Sequence, residues 1–385
     1  MRSESSADQK VGLVRASMRP EIRERSLVRA IGILVPSLAF YLAALAATVL
    51  VPWEWARLPL ALLTGFALAL LFVIGHDAAH DALTPYRRLN AILARLLFVP
   101  AWHPYSGWVH AHNHIHHGFT NLSPVDYVWM PLSKIEYDRL PRWQRLFVRL
   151  FRWWPGFGLY YATQIHIRKM FVPERDVRSR KQRRWWYLDI VIVVVGVTLQ
   201  ACAVVAVARV LGLAASAPWL ILWGLVVPYA TTMWLLGFLT YLHHTHPQIP
   251  WFKDQREWTF YRGQVLGTTH VRFGKGRALN AAIHNIMEHT AHHADPRIPL
   301  YHLPAAQDDL EAAFAPDVVE HAFTFRSFIY AQRVCQLYDY DNHRWLNYAG
   351  EPTSSRTFEL PQADPRHDNL AASTRPADAA PAMAS

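Results

Sequence analysis

Histidine gathers in four short stretches of this chain, at spacings that suit metal binding. They are His76-Asp-Ala-Ala-His80, His110-Ala-His112-Asn-His114-Ile-His116-His117, His243-His244-Thr-His246 and His284-Asn-Ile-Met-Glu-His289-Thr-Ala-His292-His293. Neutral imidazole is the commonest protein ligand for metal ions. Two imidazoles three or four residues apart on a helix share one face and can share a metal. A set made only of imidazoles suits zinc, iron, copper or nickel. A single tetrahedral zinc takes four ligands. Eight or nine well-spaced histidines exceed that number and imply two metals. Asp77, Asp81, Asn113, Asp126, Asn285 and Glu288 lie beside these histidines. Such groups orient metal-bound imidazoles and raise their basicity, although plain surface polarity accounts for a carboxylate such as Asp81 or Asp126 equally well.

Ligands this far apart in sequence need a scaffold, and the scaffold reads as a membrane one. Of 385 residues, 52% are hydrophobic and 13% aromatic, with 16 Trp. Trp and Tyr gather at membrane–water interfaces. Four apolar runs, about 31–53, 58–75, 187–211 and 218–242, approach or exceed the roughly 20 residues that cross a hydrocarbon core. Short links join them pairwise, which predicts two helical hairpins. Pro36 and Pro228 fall inside the runs, where neighbouring helices can re-satisfy the freed backbone groups. The expected fold is an all-α integral membrane protein of four transmembrane helices, with a helical cap that carries the histidine boxes. Residues 1–27 form an N-terminal segment, 28–345 the membrane domain and 346–385 a tail, disordered from about Asp364 onward. Residues 305–345 read as helical. Two weaker apolar stretches, 91–102 and 151–165, read either as interfacial helices or as parts of a soluble cap.

Charge orients the scaffold. Arg15, Arg19, Arg23, Arg25 and Arg29 precede the first run, and Arg142, Arg145, Arg149, Arg168, Lys169, Arg178, Arg180, Lys181, Arg183 and Arg184 lie between the hairpins. The positive-inside rule then places both termini and all four histidine stretches in the cytoplasm. The net charge of +10 fits an anionic leaflet rather than nucleic acid, because the basic residues flank apolar runs. Two cysteines, Cys202 and Cys335, supply neither a disulfide framework nor a thiolate metal site. The N-terminus lacks the short apolar core of a cleaved secretory signal. A redox iron pair suits boxes beside lipid better than zinc does, since oxidation of an acyl chain is chemistry that such a position would serve.

The boxes HDAAH (76–80), HNHIHH (112–117) and HTAHH (289–293), taken in order, resemble those of membrane fatty-acid desaturases, and within them the acyl-lipid omega-6 (Δ12)/omega-3 group. Phe238-Leu-Thr-Tyr-Leu-His-His-Thr-His-Pro247, Ile283-His-Asn-Ile286 and Asp295-Pro-Arg-Ile-Pro-Leu-Tyr-His302 extend the resemblance over roughly residues 55–315. It implies two non-haem iron ions on His76, His80, His112, His116, His117, His289, His292 and His293. Related enzymes add a histidine from the end of the last span: His244 matches best, with His243 and His246 as alternatives. His284 is a further candidate, His114 a bystander, and His103 and His110 structural. Ala78-Ala79 replaces the Cys-Gly of many plant boxes, which leaves substrate preference open. The resemblance implies oxygen-dependent desaturation of a lipid-bound or thioester-bound acyl chain in a bacterial inner membrane. Electrons would come from a separate ferredoxin, rubredoxin or cytochrome b5 type of donor. An acyl or alkyl hydroxylase, or a carotenoid ketolase or hydroxylase, shares the scaffold. A metal transporter would place its ligands nearer mid-span, and a zinc-dependent membrane hydrolase is the other non-oxidative reading.

Overall fold

A computed structural model describes residues 7–174, 177, 179–274 and 276–359. Among the described residues the chain is mostly helical, and four helices are long and apolar enough to cross a membrane: Leu27–Leu50, Glu54–Ala79, Arg180–Val210 and Ala217–His244. They contain most of the expected runs, with shifted ends. The first starts at Leu27, where the Ser26 side chain accepts from Arg29 N, and stops at Leu50, ahead of Pro52. The second starts at Glu54, and the third at Arg180, capped by the Ser179 hydroxyl. Serine caps therefore set the starts of the first and third helices, while the second starts after Trp53 with no side-chain cap.

The second helix is the most enclosed of the four, and the third the most outward-facing. The first and fourth pack against the second. Gly65 permits a close crossing of the second and fourth helices: a Cβ there would lie 2.4 Å from Thr231 Cβ, and Thr232 Oγ1 donates to Gly65 O at 3.0 Å. Small residues let helices approach this closely in membranes. The fourth helix is π-wound over Leu222–Val226, just before Pro228. A wide turn of this kind absorbs the missing proline N–H without ending the helix. The third helix secures the approach to the second box. Its buried Asp189 accepts from Arg95 Nε at 2.7 Å and from Ser106 N at 3.0 Å, and Trp186 Nε1 donates to Met170 O at 2.6 Å.

Beyond the long helices the chain is not all-α. Thr269–Arg272 pairs in parallel with Val319–Ala322, and Leu337–Asp339 pairs antiparallel with Arg344–Leu346. The expectation of helix throughout 305–345 is corrected accordingly. Leu303–Phe314 and Phe325–Val334 are helical, but Pro316 follows the first of them and the β-branched pair Val318-Val319 leads into a strand. The two weaker apolar stretches fall on the helix Arg87–Phe98 and on a run from the end of Arg142–Arg152 to the π-wound Tyr161–Phe171. The tail expected from Asp364 onward lies outside the described residues.

Candidate metal centre

The first box occupies the end of the second long helix. His76 and His80 are one turn apart, with ring centroids at 4.8 Å, and the helix stops there because Asp81 turns to φ 59°. The second box lies on a π-wound segment, Val109–His116, that continues the helical turn Tyr105–Trp108. His117 N donates to His112 O, five residues back, at 2.9 Å. This wide turn stacks residues that an ordinary α-turn would separate, and such turns are frequent at functional sites. Trp108 stacks on the His112 ring at 4.3 Å. The third box is the short helix His289–Ala294, and His244 is the last residue of the fourth long helix.

These four segments converge. His76, His80, His112 and His292 form one group, and His116, His244, His289 and His293 another; within each, the candidate ligand atoms lie within 4.8 Å of one another. Nε2 of His76 is 3.0 Å from Nε2 of His112. In the second group His244 Nε2 is 3.1 Å from His116 Nε2 and 2.9 Å from His289 Nε2. Imidazole nitrogens bound at about 2.0–2.1 Å to one metal would be separated by roughly 3 Å. Nε2 atoms of His80, His292 and His293 are buried with no hydrogen-bond partner. Burying an unpaired polar atom is costly, so the donor set fits a cation at each group. His117 lies between the two: its Nε2 is 3.1 Å from His112 Nε2, and its ring stacks on His293 at 4.1 Å. Burial, reinforced by neighbouring imidazoles, holds His112, His117, His289 and His293 well below the usual histidine range and lowers His292 to about 3. These rings are therefore neutral, with lone pairs free to coordinate.

Hydrogen bonds to their outer ring nitrogens fix two of the imidazoles, His116 and His293. His116 Nδ1 donates to the buried Asp126 carboxylate, 3.1 Å from each oxygen, which leaves Nε2 as the free donor atom. Asn121 N and Val128 N also donate to Asp126, at 2.9 and 3.0 Å. His293 Nδ1 meets Gln264 Oε1 at 2.7 Å, and Gln264 Nε2 donates to His117 O at 2.8 Å. Asn113 Nδ2 donates to Ala79 O at 2.9 Å, tying the first box to the second.

Other candidates do not join the two groups. His243 stacks on His289 at 3.7 Å, and its Nε2 faces Met287 Sδ at 3.3 Å. His246 stacks on His321. His284 adopts φ 58° and faces Ser37 Oγ at 3.2 Å. Asn285 donates to Leu300 O at 3.0 Å, Asp81 pairs with Arg87 at 3.2 Å, and Asp77 is buried with one carboxylate oxygen unpartnered. His103 bonds Ala101 O, and His110 lies 3.7 Å from Glu174.

Glu288 binds His270, a residue the motif reading passed over. The His270 ring is hydrogen-bonded to Glu288 on one side and Glu311 on the other. Gln307, which donates to Glu311 at 3.0 Å, accepts from Ala291 N in the third box at 2.9 Å. Burial opposes a charge on His270, but the two carboxylates outweigh it and hold its pKa up to about 9. A histidine raised in the folded state stabilises it fully below the unfolded value near 6.5, and the contribution is lost as pH rises through the folded value. In metal-free protein, His270→Asn is expected to lower stability by ~3 kcal/mol at about pH 6. Thermal unfolding should show that gap closing above about pH 9. A gap independent of pH would mean that His270 is uncharged.

A narrow cavity of about 60 Å³ opens onto both groups. His76, His112, His116, His244 and His289 form its polar side, and Phe72, Val73, Leu236, Leu239, Ile286 and Met170 are among its apolar walls. It is too small for a whole ligand, but its apolar lining suits a short hydrocarbon segment beside the imidazoles.

A family model described as fatty acid desaturase matches residues 53–325. An omega-6 fatty acid desaturase, chloroplastic, from Glycine max is 29% identical over 289 residues, 74% of this chain and 63% of that protein. A sn-1 oleoyl-lipid 12-desaturase from Synechocystis is 30% identical over 292 residues, 75% of this chain and 76% of that protein. Another of the same name from Picosynechococcus is 27% identical over 320 residues, 81% and 85% of the two chains. The matched region contains all three boxes and His244, so the chain belongs to the fatty acid desaturase family.

Proposed function

We propose that this chain is an oxygen-dependent desaturase that introduces a double bond into a fatty-acyl chain, of the Δ12/omega-6 kind that its relatives' names describe. The observation that carries the reading is the meeting of two four-imidazole groups at the wall of one apolar cavity. His76, His80, His112 and His292 would hold one iron and His116, His244, His289 and His293 the other, with His117 between them. Two non-haem irons held there supply oxygen activation: the acyl CH2–CH2, dioxygen, two electrons and two protons become CH=CH and two waters.

The chain's own residues do the rest. Apolar side chains of the cavity hold the acyl segment and keep bulk water away, so that one pair of methylenes faces the imidazole cluster. Asp126 keeps the His116 N–H turned away from the centre. The buried rings of His112, His117, His289, His292 and His293, kept neutral by burial, take up no proton at physiological pH.

The domain extends over residues 28–345, with the four long helices as two transmembrane hairpins and the boxes and both termini on the cytoplasmic side of a bacterial inner membrane. The basic residues ahead of the first helix and between the pairs support that orientation. The helix Arg142–Arg152, with Trp143, Leu146 and Phe147 exposed among its arginines, has the composition of an interfacial helix. The substrate is an acyl lipid or acyl thioester, and a separate redox protein delivers the electrons.

Fatty-acid profiling of cells that express the chain, with and without added monounsaturated substrate, tests the reading. A new diunsaturated acid is expected. A hydroxylated or oxo product would reassign the chemistry, and an unchanged profile in cells with a competent electron donor would overturn the proposal.

A further inference from the structure

The region matched by the desaturase family begins at residue 53, yet residues 11–26 are built into the back of the third box. The helix Ala7–Ala16 and the turn Pro20–Arg23 place Val14, Met18 and Ile22 in the main core, each 1–2% exposed. Behind them lies Asp295, which ends the helix His289–Ala294 and whose side chain is fully buried. A carboxylate at that end faces the negative pole of the helix, where a cation is favoured instead.

Two arginines of the N-terminal segment supply the cations. Arg23 Nε donates to Asp295 Oδ2 at 2.9 Å, and Arg15 Nε reaches the last-turn carbonyl of Ala294 at 3.4 Å. Arg23 Nη2 donates to Arg15 O at 2.7 Å, which locks the two together. Arg297 approaches Asp295 as well, at 3.4 Å, but is more than half exposed. The segment also grips the helix that holds the third box at its middle: Arg19 pairs with Asp309 on Leu303–Phe314, the helix whose Gln307 accepts from Ala291 N. Ser26 N completes the line by donating to Tyr301 Oη at 2.7 Å.

We infer that residues 11–26 are a positioning strap for the metal centre, and that Arg23 acts through Asp295 to set the rings of His292 and His293. One of these rings belongs to each four-imidazole group, so a single shift of the helix end loosens both. The inference rests on the proposed metal role of the boxes. Arg23 is a positioning residue with no contact to substrate or metal.

The test uses full-length protein purified from iron-supplemented cells. It measures metal per folded chain, the rate of metal loss to excess chelator, and the unfolding temperature of the metal-free form. Arg23→Gln, polar but shorter and uncharged, removes the cation from Asp295 and is expected to release metal from folded chains about tenfold faster or more, the range found when outer hydrogen-bond partners of metal ligands are removed. Arg23→Lys restores most of the retention, because it returns the cation to Asp295. A purely structural role would instead lower the unfolding temperature and leave release from folded chains at the wild-type rate. Wild-type release from folded Arg23→Gln protein overturns the strap alone. A wild-type chain that carries no metal overturns the strap together with the reading of the boxes on which it rests.

Discussion

Replacing His292 with alanine is expected to abolish the unsaturated product, a loss beyond the roughly 100-fold ceiling typical of outer-sphere changes, while the protein still inserts into membranes. His292 Nε2 is buried and without a protein partner, and it shares its group with His76, His80 and His112. The Ala side chain leaves three imidazoles where four converged. The cost falls on metal retention more than on the fold. The ring is neutral, with its pKa lowered to about 3, so no ion pair is broken, and the long helices pack without it. Metal analysis beside product analysis checks this: fewer metals per chain and no product are expected. Full activity in His292→Ala would remove the third box from the site.

The second large effect belongs to Asp126. Its carboxylate receives His116 Nδ1–H together with the N–H groups of Asn121 and Val128. Asp126→Asn keeps the volume, but it turns an acceptor-only group into one that must point an NH2 at a donor. One N–H is left unpaired, and His116 loses the charge that fixes its tautomer. A fall of about 10–100-fold in metal affinity or rate is expected, measured by chelator competition and by product formed per folded chain. Asp126→Ala should add a stability loss of about 1–3 kcal/mol, since buried donors lose their acceptor. If Asp126→Asn is indistinguishable from wild type, the pair with His116 has no part in the centre.

Local signals carried much of this site. Each box is a few residues long, and an apolar run of some 20 residues needs no partner to be read, so the boxes and spans stand out in sequence. His244, the best match among three neighbours, meets the second group because the fourth helix ends on it; His243, one residue earlier, falls on Met287 and the flank of His289. Other features had no local signal. Nothing in Val109–His116 announces π-winding, because i→i+5 turns share the composition of α-turns. Gln264 reaches His117 across 147 residues and His293 across 29, and Gln307 reaches Ala291 across 16. Contacts of that kind exist only after the chain has folded. Glu288 lies beside His289 in sequence yet faces His270: it precedes the short helix without capping it, and its carboxylate turns away from the cluster. The short strands escaped notice for the opposite reason: three or four residues are too few to show alternation.

The most direct test of the central claim is the transition-metal content of folded, full-length protein from iron-supplemented cells, with iron and zinc counted together because either can fill an imidazole site. Two metal ions per chain are predicted, one for each four-imidazole group. One ion per chain, or none, in protein that is folded and inserted would contradict the account.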